Sequence, residues 1–113
     1  MLLTGLRFLD GAGSSVRSGA GWIYREIIVS VSCSESDQGA ELMSVATALL
    51  VAQARRTRDG KANTVLGFNV QVDPFAEIEE DTRGVRVTVR GMPAYYPGVE
   101  SMQPSERAKI ETD

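Results

Sequence analysis

The sequence predicts an α+β domain of two layers, β-α-β-β, with one helix packed on one face of an antiparallel sheet of order 1-3-2. Three observations carry that expectation. Stretches at Trp22–Cys33, Leu66–Asp73 and Val85–Arg90 alternate apolar and polar residues with the period of a half-buried strand. Between the first and second lies a long apolar segment with helical period and a signal at each end. The length of 113 residues, 42% hydrophobic and 24% charged, suits one domain with one core.

Residues 1–21 form a poorly defined N-terminal segment rich in Gly and Ser. Its "LRFL" at Leu6–Leu9 is a candidate short edge strand too brief to decide by pattern. "GAGSSVRSGAG", Gly11 to Gly21, reads as a mobile or wrapped loop. From Trp22 onward the first strand places Ile23, Ile27, Val29, Val31 and Cys33 on one face and Tyr24, Glu26, Ser30 and Ser32 on the other. Arg25 interrupts the apolar face where a strand end lets its head reach water.

The helix begins at an N-cap, Ser36 or Asp37, carries Glu41 near the positive end of its dipole, and ends in Arg55, Arg56 and Arg58 before Gly60. Leu42, Met43, Val45, Ala46, Leu49, Leu50, Ala52 and Ala54 spread over roughly 200° of its circumference, wider than the ~100° stripe that one sheet covers. Something besides the sheet should cover the excess: the N-terminal segment, or, preferred, a neighbouring subunit.

The second strand puts Leu66, Phe68, Val70 and Val72 on one face and Val65, Gly67, Asn69, Gln71 and Asp73 on the other. "PFAEIEEDTRG" reads as an acidic connection with a turn at Asp81 to Gly84, and the third strand turns Val85, Val87 and Val89 inward. The crossover helix leaves the first two strands pointing the same way, so placing the third between them makes every pairing antiparallel. A central second strand would need a parallel pair and a right-handed crossover. Beyond Pro93 periodicity is lost; the domain is drawn over 1–96 and an extended polar tail over 97–113. Gly67, in a strand that would prefer a side chain, implies a close neighbour on the outer sheet face; no phosphate-loop spacing surrounds it.

Charge and composition narrow function. Twelve Lys and Arg against fifteen Asp and Glu give a net charge of −3, and the longest basic run is Arg55-Arg56, which argues against nucleic acid. "MLLTGLRFLDG" lacks a secretory apolar run, and "VATALLVAQA" is about half a membrane span, so a soluble cytoplasmic protein without membrane insertion is expected. With no histidine and a single Cys33 on the inward face, the usual soft-metal ligand set is missing. The acidic cluster Glu77, Glu79, Glu80 and Asp81 lacks calcium-loop spacing. A nucleophile would have to use Lys61, Lys109 or a carboxylate as its base, and no spacing selects one. No enzyme activity, cofactor or metal is expected.

"AQARRTRDGKANTVLGFNVQVD" and "GVRVTVRGMPA" together resemble the second half of YbjQ-like domains, a family carrying a heavy-metal-binding label. The matching positions are Ala54, Ala62, Asn63, Val65, Leu66, Gly67, Gly91 and Ala94, within roughly residues 39 to 95. The chain departs from the pattern at Met92-Pro93, where small residues are usual, at Arg58 to Lys61, where it is longer, and in its start. The resemblance implies a dodecin-subunit-like fold and assembly into rings, commonly pentamers. The expected function is therefore a non-enzymatic, ring-forming homo-oligomeric structural or scaffolding module. Interface candidates are Trp22, Gly67, Tyr95 and Tyr96. The alternative is a small-ligand or metal-ion carrier using the polar strand face, Asn69, Gln71, Arg86 and Arg90.

Overall fold

The computed structural model describes residues 1–9, 20–34, 39–101 and 103–112. Its elements are β1 (Leu2–Leu3), β2 (Trp22–Ile23), β3 (Ile27–Cys33), α1 (Gly39–Arg56), β4 (Thr64–Glu79), β5 (Thr82–Tyr95), a 3-10 turn (Pro97–Ser101) and α2 (Pro104–Thr112). The loop expected at Gly11 to Gly21 falls mostly outside these residues, as do both N-cap candidates, Ser36 and Asp37.

The fold is α+β, but the sheet is mixed and has five strands, which corrects the expected purely antiparallel, three-stranded sheet. The cause is β1: Leu2 and Leu3 pair parallel with Thr64 and Val65 at one end of β4. β5 runs through the middle. It pairs antiparallel with β4 along one edge, and with β2 and β3, placed end to end, along the other.

α1 lies on one face of this sheet. Ala46, Leu50 and Ala54 recur every four residues and are fully buried against Val29, Val65, Val87 and Val89, with Ile27, Val31, Leu42, Phe68 and Val70 at the margin. Small alanines on the buried stripe let the helix backbone approach the valine-rich strands closely. Val85, Val87 and Val89 are inward as expected.

The expected faces of the other two strands are not continuous. In β4, Leu66 pairs with Met92 and Asn69 with Arg90, so Gly67 and Phe68 together oppose Gly91. Such a two-against-one bulge reverses the alternation. Leu66 thus belongs to a second core on the outer face, while Phe68 and Val70 join the helix-side core. β2 and β3 are likewise out of phase: Ile23 pairs with Ala94 but Ile27 with Gly91, four steps against three. Ile23 therefore shares the outer face with Ala94, rather than the helix face with Ile27. Both irregularities flank Gly91, where an added Cβ would overlap Val65 Cγ1.

The second core consists of Leu2, Leu9, Leu66, Ala94, Tyr96 and Val99, with Leu6, Ala20 and Met92 beside it. The N-terminal segment is held there by backbone bonds, Thr4 N–H to Val65 O (3.1 Å), Gly67 N–H to Leu6 O (2.7 Å) and Phe68 N–H to Thr4 O (2.8 Å). Leu6–Leu9 is not a strand; β1 lies earlier, at Leu2–Leu3.

The acidic "PFAEIEEDTRG" is not a connection but the arms of a long hairpin, turning at Glu80-Asp81, with Asp81 at φ 63°. Residues after Tyr96 form a 3-10 turn and α2 instead of an extended tail. Pro104 opens α2 at a first-turn position that needs no N–H, and the good helix formers Arg107 and Ala108 continue it.

Candidate functional site

Three features stand out: a bare polar sheet face, two open sheet edges and an uncovered helix surface. The outer face carries the second core at one end only. Beyond the bulge, three rows run across β3, β5 and β4: Ile28–Arg90–Asn69, Ser30–Thr88–Gln71 and Ser32–Arg86–Asp73. The predicted ligand-facing residues Asn69, Gln71, Arg86 and Arg90 thus share one surface. Arg90 Nη2 donates to Gln71 Oε1 (3.4 Å), Arg86 Nη2 donates to Glu77 O (3.1 Å), and Ser30 and Thr88 hydroxyls are 3.0 Å apart. Arg90 Nε is buried without an acceptor. Among the described residues neither arginine is ion-paired; Arg90 lies among Asn69, Gln71 and Thr88, while Arg86 shares its row with the Asp73 carboxylate. That arrangement suits an anionic group accepting charge-assisted bonds.

The edges are open on both sides. β3 pairs only with β5, and β4 beyond Phe68 pairs only with β5, among the described residues. The β3 edge, "IIVSVSC", has neither the charge nor the proline that commonly guards an edge strand. Ile28 on it is 56% exposed. The β4 edge carries Asp73 and Pro74, with Val72 46% and Phe75 78% exposed.

On α1, Val45 is 49% and Leu49 45% exposed, on the side away from the buried Ala46, Leu50 and Ala54. Ala48 borders a shallow apolar depression of about 430 Å³ shared with Met43, Ser44 and Thr47. The broad apolar arc read from the sequence is real; of the described N-terminal residues, Met1 and Leu3 reach the helix-side core, while Leu2, Leu6, Leu9 and Ala20 pack on the outer sheet face.

The four interface candidates separate. Trp22 and Tyr95 stack with centroids 6.4 Å apart, and the Arg58 guanidinium lies 5.4 Å over the Trp22 ring. Tyr95 also lines an open cleft of about 480 Å³ with Gly60, Lys61, Ala62, Asn63 and Glu100. Tyr96 is fully buried, and its hydroxyl accepts the Leu9 N–H at 3.4 Å, so it is a core residue rather than a rim residue. Gly67 has φ 62°, and an added Cβ would meet only Met92 Cε at 3.7 Å. The N-terminal segment does come close, Leu6 O accepting the Gly67 N–H at 2.7 Å, but the glycine serves the left-handed bulge rather than making room for that neighbour.

Asn63 plays a part that sequence spacing did not reveal. Its Nδ2 donates to Tyr96 O (2.9 Å), while Oδ1 accepts from Tyr96 N (3.0 Å) and Thr64 Oγ1 (3.0 Å). The side chain thereby mimics a paired strand residue and ties the start of β4 to the end of β5. Cys33 is half-buried at the end of β3. Among the described residues no group of three or more His, Cys, Asp or Glu side chains could hold a metal, and no helix is long and apolar enough to cross a membrane. No family model matches the chain, and no curated protein or solved structure matches it.

Proposed function

We propose that the chain is a non-enzymatic homo-oligomeric module, a structural or scaffolding unit that forms rings by joining the β3 edge of one copy to the β4 edge of the next. The observation that carries this reading is the pair of different open edges on one sheet. A contact between unlike patches repeats around an axis and closes when the rotation per copy allows. Each junction would satisfy backbone N–H and C=O groups along both strands and shelter Ile28, Val72 and Phe75. The resemblance of Ala54, Ala62, Asn63, Gly67 and Gly91 to YbjQ-like positions points the same way. Native mass spectrometry at micromolar concentration tests it: a multiple of 12.2 kDa is expected, and a bare monomer would overturn the reading. We place the module in the cytoplasm on composition alone; a tagged copy recovered from the secreted fraction would reverse that placement.

A second reading, a carrier of a small anion on the polar sheet face, is favoured by the buried Arg90 Nε without an acceptor. It predicts that inorganic phosphate or a dicarboxylate raises the melting temperature of the native chain, and that Arg90→Gln abolishes the rise. No shift at millimolar anion would remove this reading.

A further inference from the structure

The exposed surface of α1 is complementary to itself. Stepping about 100° per residue, Glu41, Val45, Ala48, Leu49, Ala52 and Arg56 fall within an arc of about 100° on the helix, turned away from the buried Ala46, Leu50 and Ala54. The stripe is acidic at its first turn, apolar along its middle and basic at its last turn. Laid antiparallel against a copy of itself, it brings Glu41 to Arg56 and Val45 to Ala52, each contact occurring twice about the two-fold axis, with Leu49 against Leu49 and Ala48 against Ala48 on its two flanks. Leu49 projects at 45% exposure and meets its own copy across the two-fold axis, so the pairing removes it from water in both chains. A parallel arrangement would instead place Glu41 beside Glu41 and Arg56 beside Arg56.

We propose that α1 is the two-fold contact surface of this protein, taking a second copy of the same helix in antiparallel orientation. The inference rests on the homo-oligomeric reading but uses a different surface from the strand edges. Edge contacts between unlike patches build the ring, and the helix contact pairs one ring, or one chain, with another. An isologous contact adds an even multiplicity to whatever the edges supply. Leu49 and Ala48 lie at its centre, where truncation or charge is felt most, and Glu41 and Arg56 lie at the rim, where they fix orientation more than affinity.

The test compares native masses of the full chain, wild type against Leu49→Glu, Glu41→Arg, and Glu41→Arg with Arg56→Glu. All these positions are exposed, and circular dichroism checks that each variant keeps its helix. The wild-type assembly is expected to halve in mass for Leu49→Glu. Glu41→Arg, which opposes the introduced guanidinium to Arg56 of the other copy at both ends of the contact, is expected to weaken the pairing about ten-fold, and adding Arg56→Glu to restore it. An oligomer whose mass is unchanged by Leu49→Glu overturns the helix contact while the edge-built ring stands. A wild-type monomer overturns both.

Discussion

Replacing Gly67 separates two physical roles that a strand glycine can play. Its φ of 62° is left-handed, and the space beside it is open, the nearest atom to an added Cβ being Met92 Cε at 3.7 Å. An alanine there meets no obstacle, so its cost is conformational: about 1–2 kcal/mol for an L residue in the left-handed region. For a domain of this size that corresponds to a melting shift of roughly 4–8 °C. Asparagine tolerates the left-handed region better than alanine despite its larger side chain, and valine tolerates it worst. Stability should therefore fall in the order Gly, Asn, Ala, Val. Urea unfolding at fixed protein concentration measures it, concentration being held because assembly shifts the midpoint. If crowding were the cause, the order would follow volume, with Ala ahead of Asn; that result would refute the bulge account. Gly91 supplies the opposite control. An added Cβ there would overlap Val65 Cγ1 and sit 3.3 Å from Leu66 O, so Gly91→Ala should cost about 1–3 kcal/mol or more through overpacking. Val65→Ala should relieve part of that cost, whereas Met92→Ala should relieve none of the cost at Gly67.

Three further outcomes follow from particular contacts. Asn63→Asp keeps the acceptor for Tyr96 N but turns a donor into an acceptor facing Tyr96 O, so it should cost about 1–3 kcal/mol at neutral pH. Protonation restores a donor, so the deficit relative to wild type should shrink as pH falls; a pH-independent deficit would show that the lost donor is not its cause. Tyr96→Phe leaves the buried Leu9 N–H without that hydroxyl and should lower stability by about 1–2 kcal/mol, read from chemical denaturation, with an unchanged midpoint counting against the bond. Burial, aided by the positive charges of Arg107 and Arg55, pushes the Met1 amine below its usual 8.0. The folded chain then holds fewer protons than the unfolded chain between the lowered value and 8.0, so this group makes stability rise with pH across that window. Acetylating the amine should flatten that slope, as measured by urea midpoints across the window; an identical slope in both forms would contradict the assignment.

The helix was legible because several local signals agree: a 3.6-residue apolar period, Glu41 at one end and Arg55-Arg56 before Gly60 at the other. Strand existence was legible for similar reasons. Strand faces were not, because alternation read from the sequence assumes an unbroken register, and here it is broken once between β2 and β3 and three times in the β4–β5 pairing. Gly67 was the visible sign of one of them, but a glycine in a strand signals either a bulge or a close neighbour. Only the backbone angle decides between them. The irregularity at Tyr24–Glu26 carries no glycine at all. Charges in "PFAEIEEDTRG" hid the hairpin arms, since most of their side chains are exposed and give no apolar period apart from the buried Ala76. Of the candidate site, the polar row Asn69, Gln71, Arg86 and Arg90 was readable because it lies wholly on one side of the shift. Tyr96 was misplaced because burial by Leu2, Leu9 and Leu66 depends on contacts distant in sequence. Glu41 and Arg56 were read only as partners of the helix dipole; their place on the same stripe as Val45 and Leu49 emerges once the buried face is fixed.

The molecule's shape gives the open edges an energetic meaning. Its radius of gyration is 15.7 Å and its extents are 52 × 28 × 17 Å, whereas a compact domain of this length has a radius near ~13 Å. The β4–β5 hairpin runs on past its pairing with β3 at Val85 to the turn at Glu80-Asp81. A two-stranded ribbon is marginal in water without a covering layer. This one carries Phe75 at 78% exposure, with Ala76 as its one fully buried apolar side chain beyond Val72. Local hydrogen bonds help to shape the arm: Asp73 Oδ1 accepts the Phe75 N–H at 3.0 Å, and Arg83 Nη1 donates to Phe75 O at 3.4 Å. They fix its conformation without removing its apolar surface from water. In the proposed ring a second copy would cover that surface, using the arm's open β4 edge together with the unguarded β3 edge. The proposed ring then predicts that shortening the hairpin lowers the native mass while leaving the two cores around Leu50 and Tyr96 intact; an unchanged oligomer would show that the arm takes no part in it.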